Sequence, residues 1–316
     1  GGDITLKGTT AQAAGSGIYF IGSNAGNNAV LSTNNAGGIT LNATTASGNG
    51  SYAMYLEWST LETTGSGSIN LTADGSASTS AGLYYFNTIA QATGTGNISV
   101  LNSAGTSGST SMYTHSYSGT AFTTTSGTID ITDTTGNDTA YLHGAIGSTS
   151  GNITIKANSF TTDDTNLVQT AGDIRILTYT ANRGISIGSN VGGTLNLHNY
   201  ILGRLSAGGT VYIGSTDGTV ANATAGTITL NTATFGSTNK YAIANKSGYD
   251  ISIAGAISTA RAGSGTTLAI RSGQDLAINA GITNASANSS GATDIFLSAY
   301  GNITSNSSGG LSVTNT

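Results

Sequence analysis

Aromatic side chains recur through the first half of the chain. Among the residues that could do chemistry, their spacing is the one that most favours a binding role. Tyr55, Tyr84 and Tyr113 follow one another at equal intervals, and Trp58 lies shortly after Tyr55. Rings held at a constant phase could stack on sugars or contact another fibre. The competing interpretation is that alternate rings fill the interior of a wide fold. We take Trp58, Tyr55, Tyr84 and Tyr113 as candidate binding residues.

Residues that could support catalysis are sparse. The one adjacent acidic pair is Asp163-Asp164, which could belong to a polysaccharide-cleaving site or lie in a solvated turn. His115, His143 and His198 show no metal-ligand spacing, although the first two could stack on neighbouring repeats. We therefore expect no enzyme activity, no metal and no cofactor, and we rank a polysaccharide-active enzyme last among the functions considered.

The composition excludes several classes of protein. The 316 residues include 47 Gly, no Pro and no Cys, and only 7% are charged. This excludes a disulfide scaffold and thiol chemistry, as well as collagen, which needs Gly at every third position and Pro. A net charge of -5 with nine basic residues argues against a nucleic-acid partner. With 37% hydrophobic residues and low charge, the chain does not have the composition of a disordered segment.

A short motif is repeated along the chain: a Gly, then an aliphatic, a polar and a second aliphatic residue. Its copies are seen at 2–6, 38–41, 67–71, 96–100, 127–131, 151–155, 172–176, 193–197, 209–213 and 226–230, with looser copies beyond. Alternation with period two is typical of a strand with one buried face. Many copies of one strand motif indicate a repeat protein.

The spacing of these motifs predicts the architecture. The first aliphatic residue falls at 4, 39, 69, 98, 129 and 153, and two weaker strand-like pieces lie in each interval. Three short strands per repeat describe one coil of a triangular parallel β-helix. In the second half the motifs follow one another more closely, at 174, 195, 211, 228, 251 and 268. We predict an all-β, right-handed parallel β-helix of about 12–14 coils, with long coils of about 30 residues over 1–160 continuing into coils of about 17–23 residues over 161–316.

The Gly-Asn-Ile motifs at 96–100, 151–155 and 301–304 resemble the repeats of filamentous-haemagglutinin-like exoproteins and large bacterial surface adhesins. The resemblance extends over essentially the whole chain. It implies a β-helical shaft that is secreted to the cell surface, often as part of a very long polypeptide.

The sequence shows no signal peptide and no long apolar segment, so we expect no membrane insertion. It begins and ends on strand motifs, at 2–6 and 310–313, which favours a slice of a longer chain or a subunit that stacks end to end.

We therefore expect an extracellular structural or adhesive shaft of a bacterial surface fibre, whose partner is itself or the remainder of a longer chain. The alternative is a glycan-binding adhesin segment that uses the aromatic stripe. Ice binding through a flat Thr face is disfavoured, because Thr-x-Thr pairs do not recur at a constant position.

Overall fold

The computed structural model consists almost entirely of β-strands, which divide into two compact units, Gly1–Gly172 and Asp173–Thr316. The residues that it describes are 2–10, 15–24, 26–45, 52–76, 82–104, 110–116, 119–136, 139–162, 168–188, 194–236, 239–259, 265–284 and 293–306. The Asp163-Asp164 pair and the final strand motif at 310–313 lie outside them.

The first unit has eighteen described strands. In chain order they are β1 Ile4–Thr10, β2 Ile18–Ile21, β3 Ala29–Thr33, β4 Ile39–Thr45, β5 Met54–Glu57, β6 Ser59–Thr63, β7 Ile69–Gly75, β8 Leu83–Phe86, β9 Ile89–Ala92, β10 Ile98–Ala104, β11 Thr110–His115, β12 Thr120–Thr124, β13 Ile129–Asp133, β14 Thr139–Leu142, β15 Ala145–Ser148, β16 Ile153–Lys156, β17 Phe160–Thr162 and β18 Val168–Thr170.

Every third strand of this unit joins the same sheet. The first sheet runs β1-β4-β7-β10-β13-β16, the second β17-β14-β11-β8-β5-β2 and the third β18-β15-β12-β9-β6-β3. Neighbouring strands are parallel throughout. One coil is therefore three strands, and the described residues of this unit make six coils. The prediction of a parallel β-helix with three strands per coil is confirmed.

Identical residues stack in the core. Ile39, Ile69, Ile98, Ile129 and Ile153 pair directly across the first sheet and are all fully buried. Because side chains alternate along a strand, the residue between each pair of aliphatics faces outward. Each buried aliphatic contributes about 1.5–3 kcal/mol, so the coils stabilise one another rather than fold singly.

The corner before the first sheet requires Gly and Thr. Thr63 Oγ1 donates to Gly67 O at 2.7 Å, and Thr124 Oγ1 makes the same bond to Gly127 O at 2.7 Å. At this corner the backbones of successive coils approach so closely that a Cβ added to Gly96 would lie 1.7 Å from Gly67 O. This close approach explains why the motifs at 67–71, 96–100, 127–131 and 151–155 open with Gly.

The second unit has fifteen described strands and one short helix. They are β19 Ile174–Leu177, β20 Ile185–Ile187, β21 Leu195–Leu197, α1 Asn199–Leu202, β22 Leu205–Ala207, β23 Thr210–Ile213, β24 Ile228–Leu230, β25 Ala233–Phe235, β26 Lys240–Ala244, β27 Ile251–Ile253, β28 Ile257–Thr259, β29 Gly265–Ser272, β30 Leu276–Ile278, β31 Ile282–Asn284, β32 Thr293–Ala299 and β33 Ile303–Ser305.

Strands of this unit also pair in parallel, in the orders β19-β23-β26-β29-β32, β21-β20-β24-β27-β30-β33 and β25-β28-β31. Ile174 pairs with Val211, and Tyr241 pairs with Leu268. In each pair the two partners are separated by more residues than the coil length of about 17–23 residues predicted for 161–316. The strand motifs of this half do not all begin the same strand of a coil. Those at 211 and 228 lie on successive strands of one coil.

Among the described residues, no helix is long and apolar enough to cross a lipid bilayer.

Candidate functional site: an aromatic ladder on the second sheet

The candidate tyrosines lie at one position of the second sheet in successive coils. Tyr19 pairs with Tyr55, Tyr55 with Tyr84, Tyr84 with Tyr113 and Tyr113 with Tyr141. They alternate with buried residues such as Leu83 and Tyr85, so their side chains stand on the outer face. We call these five residues the tyrosine ladder.

Neighbouring rings of the ladder stack on one another. The ring centroids are 5.1 Å apart between Tyr19 and Tyr55, 4.5 Å between Tyr55 and Tyr84, and 5.4 Å between Tyr84 and Tyr113, with interplanar angles of 24°, 16° and 12°. The step to Tyr141 is longer, at 6.3 Å, and tilted by 45°. Stacking of this kind adds about 0.5–1.5 kcal/mol per pair. It also places each interior ring between two others, so their faces are largely occupied.

The aromatic residues therefore divide between the outside and the inside of the fold. Tyr85 and Phe122 face inward, with ring centroids 4.9 Å apart, and the Tyr85 hydroxyl donates to Ala121 O at 2.9 Å. Tyr19, at the first described strand of the sheet, is 68% exposed. Some rings therefore fill the interior, whereas the tyrosine ladder stands on the outside of the fold.

A second outward row flanks the ladder two residues further along each strand. It runs through Ile21, Glu57, Phe86 and His115. His143 continues it, with its ring centroid 6.2 Å from that of His115. The expected placement of these two histidines on neighbouring coils is confirmed, but their rings are tilted by 50° to one another and do not stack. No group of three or more His, Cys, Asp or Glu among the described residues could hold a metal.

Glu57 links the row to the ladder electrostatically. The Tyr55 hydroxyl donates to Glu57 Oε2 at 2.9 Å. Burial raises the pKa of Tyr55 above its ordinary value, and the carboxylate of Glu57 raises it further. Burial and the charge of Glu57 also raise the pKa of Tyr84. Both phenols therefore remain neutral hydrogen-bond donors at any physiological pH.

Trp58 does not belong to the ladder. It occupies the corner between β5 and β6 with φ of 48°, and its ring meets Phe86 edge-on at 6.4 Å. The equivalent corner of the next coil holds Asn87, also at φ of 48°. The left-handed region suits Asn and Gly and is unusual for a bulky residue, and nothing in the residues around Trp58 signals this conformation.

Three other acidic residues, Asp130, Asp133 and Asp173, have different surroundings. On β13, Asp130 faces outward and is exposed, whereas Asp133 is buried. Asp133 accepts hydrogen bonds from Ser111 Oγ at 2.5 Å and Asn102 Nδ2 at 2.9 Å. Asp173 belongs to the second unit and pairs with Arg175 at 3.1 Å.

His198 likewise lies in the second unit and stacks on Tyr200 at 5.4 Å.

Comparison with known protein families, with curated proteins and with solved structures finds no match to this chain.

Proposed function

We propose that this chain is a structural segment of a secreted bacterial surface protein, of the kind that large adhesins use as a shaft. The observation that carries the proposal is the repetition of one coil geometry in the first unit. Six coils follow one another with residue paired to like residue, as in Ile4–Ile39–Ile69 or Tyr55–Tyr84–Tyr113. Such a fold has a function as a spacer because its length grows with the number of coils.

The contacts between coils suit a mechanical role. Each described coil of the first unit is joined to the next by three parallel strand pairs, and two of these pairings, β1 with β4 and β7 with β10, extend over seven residues. Corner bonds add to the ladders, since Thr95 N–H donates to Gly65 O at 2.7 Å and Ser126 N–H to Gly94 O at 3.1 Å. An applied load would therefore be shared among many hydrogen bonds at every interface.

The charge composition suits assembly into a fibre. A net charge of -5 over 316 residues gives little repulsion between neighbouring rods. The partner in this proposal is another copy of the chain or further coils of the same polypeptide, joined by strand addition at an open sheet edge. The proposal assigns the chain no catalytic activity, no cofactor and no nucleic-acid partner.

Negative-stain electron microscopy over a concentration series tests whether the chain assembles with itself as proposed. We expect filaments or end-joined rods that become longer and more numerous as concentration rises. Analytical ultracentrifugation of the same samples provides the matching mass. A protein that stays monomeric at the highest concentration would contradict self-assembly, and compact particles without elongation would contradict the shaft itself.

A second candidate function is glycan binding through the tyrosine ladder. The favouring observation is the exposure of Tyr19, which stacks on Tyr55 through one face in the described part of the chain. Because interior rings are stacked on both sides, we assign sugar stacking to this end of the ladder rather than to its middle.

A glycan array compares the native chain with Tyr19→Ala. Tyr300→Ala is the matched control, because Tyr300 is 73% exposed and lies outside the ladder, in the second unit. We expect Tyr19→Ala to lose glycan signals that Tyr300→Ala retains. Equal binding by both variants would reject the ladder as a sugar site and leave the shaft proposal intact.

A further inference from the structure

The tyrosine ladder gathers oxidisable side chains on one outward face of the first unit. The chain has 14 Tyr, one Trp and two Met, and it has no Cys. Both methionines, Met54 and Met112, are fully buried, which shields their sulfur atoms from oxidation. Phenol rings are therefore the groups that this face offers to an oxidant in solution.

The rings of the ladder lie close enough to exchange electrons directly. From Tyr19 to Tyr113 each ring centroid is between 4.5 and 5.4 Å from the next, which is the spacing of aromatic rings in contact. Tyr52 adds a further ring, whose centroid lies 5.0 Å from that of Tyr84 and 5.7 Å from that of Tyr55. Because electron transfer weakens steeply with distance, a missing electron passes far faster between rings in contact than between separated rings.

Tyr55 has a proton acceptor in place. A phenol that loses an electron becomes strongly acidic, so its radical forms readily only where a base takes up the proton. The Tyr55 hydroxyl donates to Glu57 Oε2 at 2.9 Å, which is within the reach that direct proton transfer requires. Because burial raises the pKa of Tyr55, its phenol is not ionised beforehand, and the proton leaves together with the electron.

Glu62 is the other glutamate of the chain, and it has a different partner. Its Oε1 accepts a hydrogen bond from Gln91 Nε2 at 2.7 Å. Both glutamates are half-buried at outward positions of neighbouring strands. They differ in that Glu57 is bonded by a phenol and Glu62 by an amide, so Glu62 provides a matched comparison for the role of Glu57.

Tyr19 gives a dissolved oxidant access to the ladder. It is 68% exposed, whereas Tyr55 and Tyr84 are half-buried between their neighbours. A bulky oxidant can therefore contact the ring of Tyr19 more readily than that of Tyr55. The ring contact of 5.1 Å between these two residues connects the exposed end of the ladder to the phenol that has a proton acceptor.

From this arrangement we propose that the tyrosine ladder is a redox relay, which reduces one-electron oxidants such as the carbonate radical at Tyr19 and holds the resulting radical at Tyr55. One electron passes from the Tyr19 ring to the oxidant. An electron from Tyr55 then refills the Tyr19 ring, and the Tyr55 proton moves to Glu57 Oε2. The products are the reduced oxidant, a neutral tyrosyl radical and a protonated Glu57. This activity does not depend on the shaft proposal.

Flash oxidation of the full chain tests the proposal. Photogenerated ruthenium(III) tris(bipyridine) serves as a bulky one-electron oxidant, and transient absorption records the tyrosyl radicals. We expect a fast phase of radical formation that Tyr55→Phe removes. Tyr212→Phe should retain it, because Tyr212 is a half-buried outward tyrosine of the second unit. A fast phase that survives in Tyr55→Phe would show that the radical does not settle at Tyr55, and the proposal would be wrong.

Two further pairs of variants test the proton acceptor and the entry point. Glu57→Gln keeps the shape of the side chain without its basicity and should slow the fast phase at least about tenfold, whereas Glu62→Gln should leave it unchanged. Tyr19→Leu should abolish the fast phase, and Tyr300→Leu, at a tyrosine that is 73% exposed in the second unit, should not. Equal rates within either pair would overturn the proposal. Circular dichroism checks that all four variants keep the native strand content. Assembly is not part of this assay, so its outcome is separate from that of the shaft.

Discussion

Replacing Gly96 by Ala should disrupt the contact between two coils of the first unit. An added Cβ would lie 1.7 Å from Gly67 O and 2.6 Å from Gly67 C, whereas such contacts in proteins almost never fall below 3.0 Å. The two backbones must therefore move apart at this corner until that limit is reached. Both clashing atoms are backbone, so no side-chain rotation can relieve the contact.

The size of the effect follows from what the separation breaks. Overpacking of a close contact costs about 1–3 kcal/mol. The same corner holds the Thr95 N–H to Gly65 O bond of 2.7 Å and the Ile69 N–H to Asn97 O bond of 2.8 Å, and each lost bond costs about 0.5–1.5 kcal/mol. We expect Gly96→Ala to lower the free energy of unfolding by about 3–5 kcal/mol.

Urea unfolding followed by far-ultraviolet circular dichroism measures this change, with Gly147→Ala as the matched control. Gly147 lies within strand β15, and a Cβ there would have Gln169 O at 3.9 Å as its nearest neighbour. Ala is favoured over Gly in a strand interior by about 0.5–1 kcal/mol, so the control should be as stable as the native chain or more so. If the two variants unfold at the same urea concentration, the close coil contact is not what selects Gly in the motif.

Three further predictions concern single side chains. Burial raises the pKa of Asp133 above its ordinary 3.8, so the folded state holds this proton more tightly than the unfolded state does. The free energy of unfolding of the native chain, relative to that of Asp133→Asn, should then fall as pH rises above 3.8. Chemical unfolding of both proteins at several pH values measures this, and a difference that does not change with pH would contradict the prediction. Trp58→Asn should change the free energy of unfolding by less than about 1 kcal/mol, because relief of the left-handed backbone offsets the lost edge contact. Trp58→Val, which keeps the strain without the ring, should cost about 2 kcal/mol in the same assay; equal stability of the two variants would refute the assignment of strain. Hydrogen bonds from Thr219 and Asn222 lower the pKa of Asp217 to about 2. The loop closed by the Ser215–Ala223 bridge should therefore be stable above pH 3.8 and loosen only as the pH falls towards 2. NMR can follow the titration of this carboxyl group, and a midpoint near pH 3.8 would refute the loop geometry.

The strand motifs predicted the first unit well because one coil contains one strong motif. Ile39, Ile69 and Ile98 start strands of the same sheet, and the weaker pieces between them are the other two strands. In the second unit, Val211 and Ile228 begin equally strong motifs but lie in different strand orders. Local alternation reports that a strand has a buried face and does not report which neighbour it pairs with.

The candidate site could be predicted only in part. The equal spacing of Tyr55, Tyr84 and Tyr113 placed them in one row, and the structure stacks them. In Leu83-Tyr84-Tyr85-Phe86, however, alternation alone could not decide which tyrosine faces inward. The loop closed by the Ser215–Ala223 bridge was not predicted, since Arg175 and Arg271 are each single charges until folding brings them to Thr216 O and Gly218 O of this loop.

Pulling single molecules from their two ends tests the structural role most directly. A chain segment of about 30 residues extends to roughly 100 Å when fully stretched, so a stack of coils should lengthen in high-force steps of about that size or its multiples. Such steps in the native chain, and weaker ones in Gly96→Ala, are the results that we predict. Smooth lengthening at low force, with no steps, would contradict the central claim that this chain is a mechanical shaft of stacked coils.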